Sequence, residues 1–184
     1  MSDCMVADHG LPTIETCLSM LAEENVPNNV IDHCMAVEKL ALQIAMKITD
    51  DEEVLALVSR AALLHDIGRS KTHGIEHAIV GAAILRMRGL DPRIVLIVER
   101  HIGGGITQSE AADLGLPEKD YMPETLAEKI VAHADNLITG HGRWSVSEAV
   151  KREEEKGHAE QAKRIRALHD ELSELAGMDI DDLD

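Results

Sequence analysis

His65 and Asp66 are adjacent, close an apolar run and are followed by Ile67-Gly68-Arg69. His33 lies upstream on another apolar stripe, and His77, His101 and Asp135 lie downstream on three more. Imidazole and carboxylate are the donor set of Mn, Fe, Co, Ni or Zn centres, and suit Ca or Mg alone less well. The spacing turns each group inward. His33 falls three residues after Val30 and four before Val37, and His65 falls four after Ala61. His77 shares a stripe with Val80, Gly81 and Ile84; His101 follows Ile97 and Val98; Asp135 sits between Val131 and Ile138. One histidine on an apolar stripe is ordinarily a satisfied core residue. All of these groups together, on five successive helices, are hard to bury with nothing to hold, because each unpaired polar group costs about 1–3 kcal/mol and an isolated carboxylate more.

The other histidines carry less. His9 is terminal, His73 and His141 fall in loops, and His158 and His169 sit among charges. His133 precedes Asp135 by two residues, which turns it roughly 200° away on a helix. Cys34 follows His33 directly but points roughly 100° from it, and reads as packing.

Helical periodicity dominates the elements that must position these groups, and no strand-like alternation persists. The pattern predicts helices over about 13–24, 29–48 and from Asp50, taken as N-cap with Glu53 three residues on, to the His-Asp pair. A polar, basic loop is expected from Gly68 to Gly74, then a helix over 75–87 ending at Gly89. Asp91-Pro92 reads as N-cap and first residue of a helix running through His101, stopped by Gly103-Gly104-Gly105. Thr107 with Glu110 forms a capping box, Pro123 opens a helix reaching Thr139, and Ser145 with Glu148 caps one last long helix. That helix, about 145–176, docks through Ile165, Leu168, Leu172 and Leu175. The acidic tail from Asp179 is expected to fray.

The length of 184 residues fits one domain over 1–184 with a real core. The net charge of −16, from 34 acidic against 18 basic residues, argues against a nucleic-acid platform and against an anionic membrane. With Tyr121, Trp144 and no Phe, base stacking has little to work with. Cys4, Cys17 and Cys34 form no CxxC and suggest free thiols in a reducing compartment. No leader or long apolar span is visible, so the reading is a cytoplasmic protein, with an oligomer possible.

The order His33, His65-Asp66, Asp135, with the wording HCMAVEKLALQIA, ALLHDIGRS and ADNL, resembles the HD-domain superfamily of metal-dependent phosphohydrolases. His77 in EHAIVGAAIL and His101 in ERHIGGG resemble the extra histidines of its di-metal branch. Bacterial HD-domain hydrolases of symmetrical dinucleoside tetraphosphates look similar, and uncharacterised archaeal HD-domain proteins more so. The resemblance spans about 30–142 and implies an all-α fold, an HD-domain helical bundle of five core helices with N- and C-terminal helices added. It implies that His33, His65, Asp66 and Asp135 hold one divalent transition-metal ion. Asp66 would bridge to a second ion completed by His77 and His101, and a hydroxide between the ions would attack phosphorus. Arg69 stands where many HD-domain enzymes carry Lys, and would clamp phosphate bidentately. Lys71 and Arg143 are further clamp candidates, and Gly103 and Gly104 would admit substrate close to the backbone.

The expected function is therefore cleavage of a phosphoester or phosphoanhydride in a small phosphorylated molecule, a nucleotide or dinucleoside polyphosphate. Asp66 and Arg69 are the expected catalytic residues. The same ligand set would serve an HD-domain di-iron oxygenase, and a non-catalytic ligand-binding regulatory module is the remaining alternative.

Overall fold

A computed structural model describes residues 10–140 and 142–183. Among these, helices α1 (Ile14–Glu23), α2 (Asn28–Ile48), α3 (Glu52–Leu64), α4 (His77–Met87) and α5 (Pro92–Glu99) lead into a short α6 (Gln108–Asp113). Helices α7 (Leu126–Leu137), α8 (Val146–Glu155) and α9 (Ala159–Ala176) complete the bundle. The long α2 packs against α3, α7 and α9, while α5 packs against α3, α4 and α7. The fold is all-α, as its periodicity and its resemblance imply. With almost no aromatic residues to fill space, the helices approach through small ones: Ala41, Ala45, Ala61, Ala62, Ala82 and Ala134 are fully buried. Leu64, Ile67, Ile94, Ile97, Ile130 and Leu137 fill the interior around them.

Local chemistry sets the boundaries. Thr13 caps α1 through Thr16 N–H, and Asp91 caps α5 with Pro92 in its first turn. Both expected capping boxes, Thr107 with Glu110 and Ser145 with Glu148, are formed. Asp51 rather than Asp50 caps α3, because its carboxylate accepts from Glu53 and Val54 N–H. The helix before His101 ends at Glu99, and α7 starts at Leu126 under a Thr125 cap rather than at Pro123. Residues expected at the end of α7 instead pair as short antiparallel strands, β1 (Ile138–Thr139) with β2 (Gly142–Arg143).

Two expectations for the C-terminal region need correction. The last long helix is a hairpin of α8 and α9, broken where Gly157 takes φ +82. Glu153 accepts from Lys156 and from the His158 ring and holds that turn. Leu175 remains exposed, whereas Ile165, Leu168 and Leu172 dock as expected. The acidic tail is ordered rather than frayed. Asp179 caps a 3-10 turn over Ile180–Asp182, and Ile180 is fully buried. Asp184 lies outside the described residues, as do Cys4, His9 and His141.

Candidate metal centre

The six groups arrive at one place from different elements. His33 comes from α2, His65 and Asp66 from the end of α3, His77 from the start of α4, His101 from just past α5, and Asp135 from α7. The α3 end reaches α4 closely because Gly68, in a 3-10 turn over Ile67–Ser70, has no side chain; a Cβ there would lie 2.0 Å from the His77 carbonyl oxygen.

Three imidazoles are held in the same way. His65 Nδ1 lies 2.7 Å from Ala62 O, His77 Nδ1 2.7 Å from Gly74 O, and His101 Nδ1 2.7 Å from Val98 O. A carbonyl only accepts, so each Nδ1 carries a proton and donates it. Each Nε2 is thereby turned inward, free to act as a ligand atom. His77 Nε2 and His101 Nε2 then face each other at 3.1 Å. Each Nδ1 proton is already given to a carbonyl, so the two Nε2 lone pairs face each other unless a proton or a metal ion lies between them. That contact calls for a cation.

The carboxylates complete the ring of donors. Asp135 Oδ1 lies 2.8 Å from His33 Nε2 and 3.3 Å from His65 Nε2. Asp66 Oδ1 lies 3.0 Å from His77 Nε2 and 3.7 Å from His101 Nε2, while its Oδ2 lies 3.8 Å from His65 Nε2. His65 Nε2 and Asp66 Oδ1 are buried, and despite these short separations neither makes a hydrogen bond. Unmatched buried polar atoms are costly, and a coordinating ion is what this donor chemistry accepts. Ligand atoms within 4.8 Å of one another form overlapping sets: His33, His65 and Asp66; His65, His101 and Asp135; Asp66, His77 and His101. Asp66 presents one oxygen to each side.

Charge is tightly coupled here. Burial opposes ionisation of Asp66 and Asp135, but His65 and the neighbouring imidazoles prevail and hold both carboxyls below their ordinary range. Burial would likewise push His65 down, yet the adjacent negative groups hold it well above an ordinary histidine. His101 is pushed down to about 3, first by burial and then by His65 and His77. The extra proton that this raised His65 carries would sit on Nε2, 3.3 Å from Asp135 Oδ1, wherever no metal ion takes that atom.

The centre opens through a cavity of about 220 Å³ lined by His33, Arg69, Asp135, Asn136, Trp144 and Arg152, among others. Arg69 Nε donates to Asp66 Oδ2 at 2.6 Å, so it both orients that carboxylate and brings positive charge to the mouth. Arg152 stacks over the Trp144 ring at 5.0 Å and adds a second cation that sequence reasoning did not single out. It lies in a run of alternating charges, where nothing in the pattern separates it from solvated neighbours.

Other expected contributors lie elsewhere. Lys71 pairs with Glu24 at 3.1 Å, drawn to that carboxylate beside Arg88, and does not line the mouth. Arg143 is occupied, donating to the carbonyls of Ile180 and Leu183, and pins the tail instead of swinging toward substrate. Gly104 serves close packing: a Cβ there would sit 2.4 Å from Arg164 Cβ, and its N–H donates to Gln161. Gly103 lines the larger cavity next to the mouth, and a Cβ there would sit 2.6 Å from Gln161 Oε1. His133 and His169 are buried partners rather than bystanders: His133 contacts His169 at 3.2 Å, which contacts Asp179 at 2.9 Å. Burial, then His169 and Arg143, push His133 down to about 3.

Residues 30–140 match the model of the HD domain. The chain belongs to the HD-domain family. A relative in Methanocaldococcus jannaschii, "Uncharacterized protein MJ0778", is 51% identical over 88% of this chain and 97% of its own length. A Picrophilus torridus protein named tRNA (cytidine(56)-2'-O)-methyltransferase is 48% identical over 94% of this chain and 50% of its own length. The chain thus spans about half the length of that relative. The crystal structure of the HD domain of the L. monocytogenes phosphodiesterase PgpH in complex with cyclic-di-AMP shares the fold, with a TM-score of 0.52 and 18% identity over 88% of this chain and 95% of that one. Among the described residues, no helix is long and apolar enough to cross a membrane.

Proposed function

We propose that this HD domain is a metal-dependent phosphohydrolase acting on a small phosphorylated molecule. The observation that carries the reading is the pair of buried, unsatisfied donor atoms, His65 Nε2 and Asp66 Oδ1, inside a ring of inward-turned imidazoles with Arg69 at its mouth. His33, His65, Asp66 and Asp135 would hold one divalent transition-metal ion, and Asp66, His77 and His101 a second. Such ions supply Lewis acidity and an activated water for attack at phosphorus. The protein's own residues do the rest. Asp66 is shared between the halves of the site and is kept ionised. Arg69 fixes Asp66 through Nε and reaches the His73 carbonyl through Nη1, which leaves Nη2 to meet an incoming phosphate, and Arg152 adds charge at the same mouth. The fold neighbour that binds cyclic-di-AMP supports a nucleotide-like substrate, and the buried free thiols of Cys17 and Cys34 agree with a reducing cytoplasm.

A second reading has its own observation. The Picrophilus torridus relative carries a tRNA-methyltransferase name on a chain about twice as long. A non-catalytic HD module that serves a tRNA-modifying partner fits that arrangement, and with a net charge of −16 the partner would supply the RNA contact. One experiment separates the readings. Anaerobically purified protein, loaded with Mn, Fe, Co, Ni or Zn in turn, is screened for phosphate release from nucleotides, dinucleoside polyphosphates and sugar phosphates. The hydrolase reading expects release that a chelator abolishes. No release with any loaded metal would favour the module.

A further inference from the structure

Beside the mouth of the metal centre lies a larger cavity, of about 600 Å³. Its volume is typical of small-molecule sites, roughly 300–1,000 Å³. Asn136 and Glu153 line both spaces, so the two adjoin. The floor is aliphatic: Ile75, Ile102, Ile106 and Leu114. It is built on a small apolar cluster of Ile106, Ala111 and Tyr121, separate from the main core. The opposite wall is the turn between α8 and α9, including Lys156, Gly157, His158 and Ala159. That wall lies wholly beyond residues 30–140, the extent of the HD-domain match.

The wall is held in register with the metal centre. Gln161, on α9, accepts from Gly104 N–H at 2.9 Å and donates to Gly105 O at 2.6 Å. Asn136, next to Asp135, donates to Gly103 O at 2.9 Å. The glycine loop after His101 is therefore clamped from both sides, and the cavity keeps a fixed place relative to the metal ligands.

We infer that this cavity is a nucleoside subsite that the α8–α9 hairpin adds to the HD domain, receiving the base and ribose of a substrate whose phosphate lies at the metal centre. The inference rests on the phosphohydrolase reading for the phosphate but on separate residues for the nucleoside. Chemistry selects the occupant. An aliphatic floor gives a sugar phosphate little to hydrogen-bond, while a flat heterocycle removes it from water. The threshold between the spaces, where a ribose would sit, carries Asn136 Oδ1 and the lone pairs that Glu153 keeps beyond its bonds to Lys156 and His158, acceptors suited to hydroxyl groups. The lining also carries the carboxylates of Asp113 and Glu160, which can accept from exocyclic amino groups. A plain alkyl chain would use none of these.

Ala159 is exposed on the first turn of α9 and Leu114 is exposed at the end of α6, so both can be changed without touching the metal ligands. The probes are AMP, adenosine and inorganic phosphate, titrated calorimetrically into the metal-loaded protein, its Ala159→Trp variant and its Leu114→Glu variant. The wild type should bind AMP at least about tenfold more tightly than inorganic phosphate. Both substitutions should remove that advantage while leaving inorganic phosphate binding and metal content unchanged. If inorganic phosphate fails to bind but adenosine binds and Ala159→Trp abolishes it, the subsite stands and the hydrolase reading falls. If AMP binds no better than inorganic phosphate, or keeps its advantage in both folded variants, the subsite is wrong. Binding of none of the probes would overturn both.

Discussion

Under the phosphohydrolase reading, Arg69 couples a metal ligand to the substrate mouth. Its Nε donates to Asp66 Oδ2, and the same guanidinium lines the mouth. Arg69→Ala should therefore lower turnover of a phosphorylated substrate by about 10²-fold, as loss of one charge-stabilising donor does. It should also weaken metal affinity by about tenfold, because Asp66 loses its orienting partner. Arg69→Lys should restore charge but not the bidentate geometry, and so only part of the rate. Steady-state kinetics at saturating metal, beside a metal titration, check both effects; unchanged values in Arg69→Ala would return the residue to the surface.

Protonation gives a second test at this scale. His65 is held well above its ordinary value by adjacent negative charge, so in the metal-free protein it retains its proton as pH rises past the usual histidine range. A metal ion must displace that proton. Metal affinity should then rise with pH across about 6 to 8, where Asp66 and Asp135, both depressed, are already ionised and contribute no slope. Competition titrations with a chromophoric chelator measure it, and a flat profile would contradict the charge assignment.

The convergence of these six side chains was legible because His and Asp on apolar stripes are costly without a partner. Which nitrogen each imidazole offers was not legible, since it depends on carbonyls three residues back along each chain segment. Lys71 and Arg143 were misplaced for a related reason. Sequence shows that a cation is near a motif, but not that Glu24 or the carbonyls of Ile180 and Leu183 already hold it.

At the scale of elements, the closest approach in the site is between the turn after Asp66 and the start of α4. Gly68 has no room for a side chain against the His77 carbonyl. Gly68→Ala should push α4 outward, destabilising the fold by on the order of 1–3 kcal/mol, as overpacking does. His77 moves with α4 while His33 and Asp135 do not, so the metal held by His77 and His101 should be lost first. Thermal unfolding together with metal stoichiometry reads this; a variant that keeps both would show that the turn has slack.

Helix existence and capping were largely legible at this scale. Asp91, Thr107 and Ser145 all cap where their side chains predict. The breaks were less so. Asp50 and Asp51 compete for one cap, and only the chain path decides that Asp51 reaches Glu53 and Val54 N–H. The hairpin at Gly157 hid inside a charged run, because a solvated helix and a solvated turn share the same composition there. A positive φ at glycine is invisible until the neighbouring helices fix the direction of the chain.

The whole molecule is strongly acidic, with a net charge of −16, yet the proposed substrate is an anion. The arginines at the mouth provide attraction only at short range, while the surface repels over a longer one. Raising salt from about 0.02 to 0.2 M should therefore increase kcat/KM for a nucleotide, by screening the long-range repulsion more than the short contacts. A steep fall over that range would mean that a basic face, absent from this account, governs association.

The central claim is that His33, His65, Asp66, His77, His101 and Asp135 form one shared metal centre with Asp66 between its halves. The most direct measurement is elemental analysis of the anaerobically purified, metal-loaded protein and of its Asp66→Ala variant, each confirmed as helical by circular dichroism. Shared ligation by Asp66 predicts about two transition-metal ions per chain in the wild type, and loss of both, not of one, in the variant. A folded Asp66→Ala protein that keeps its full metal content, or a wild type that holds no transition metal after loading, would contradict it.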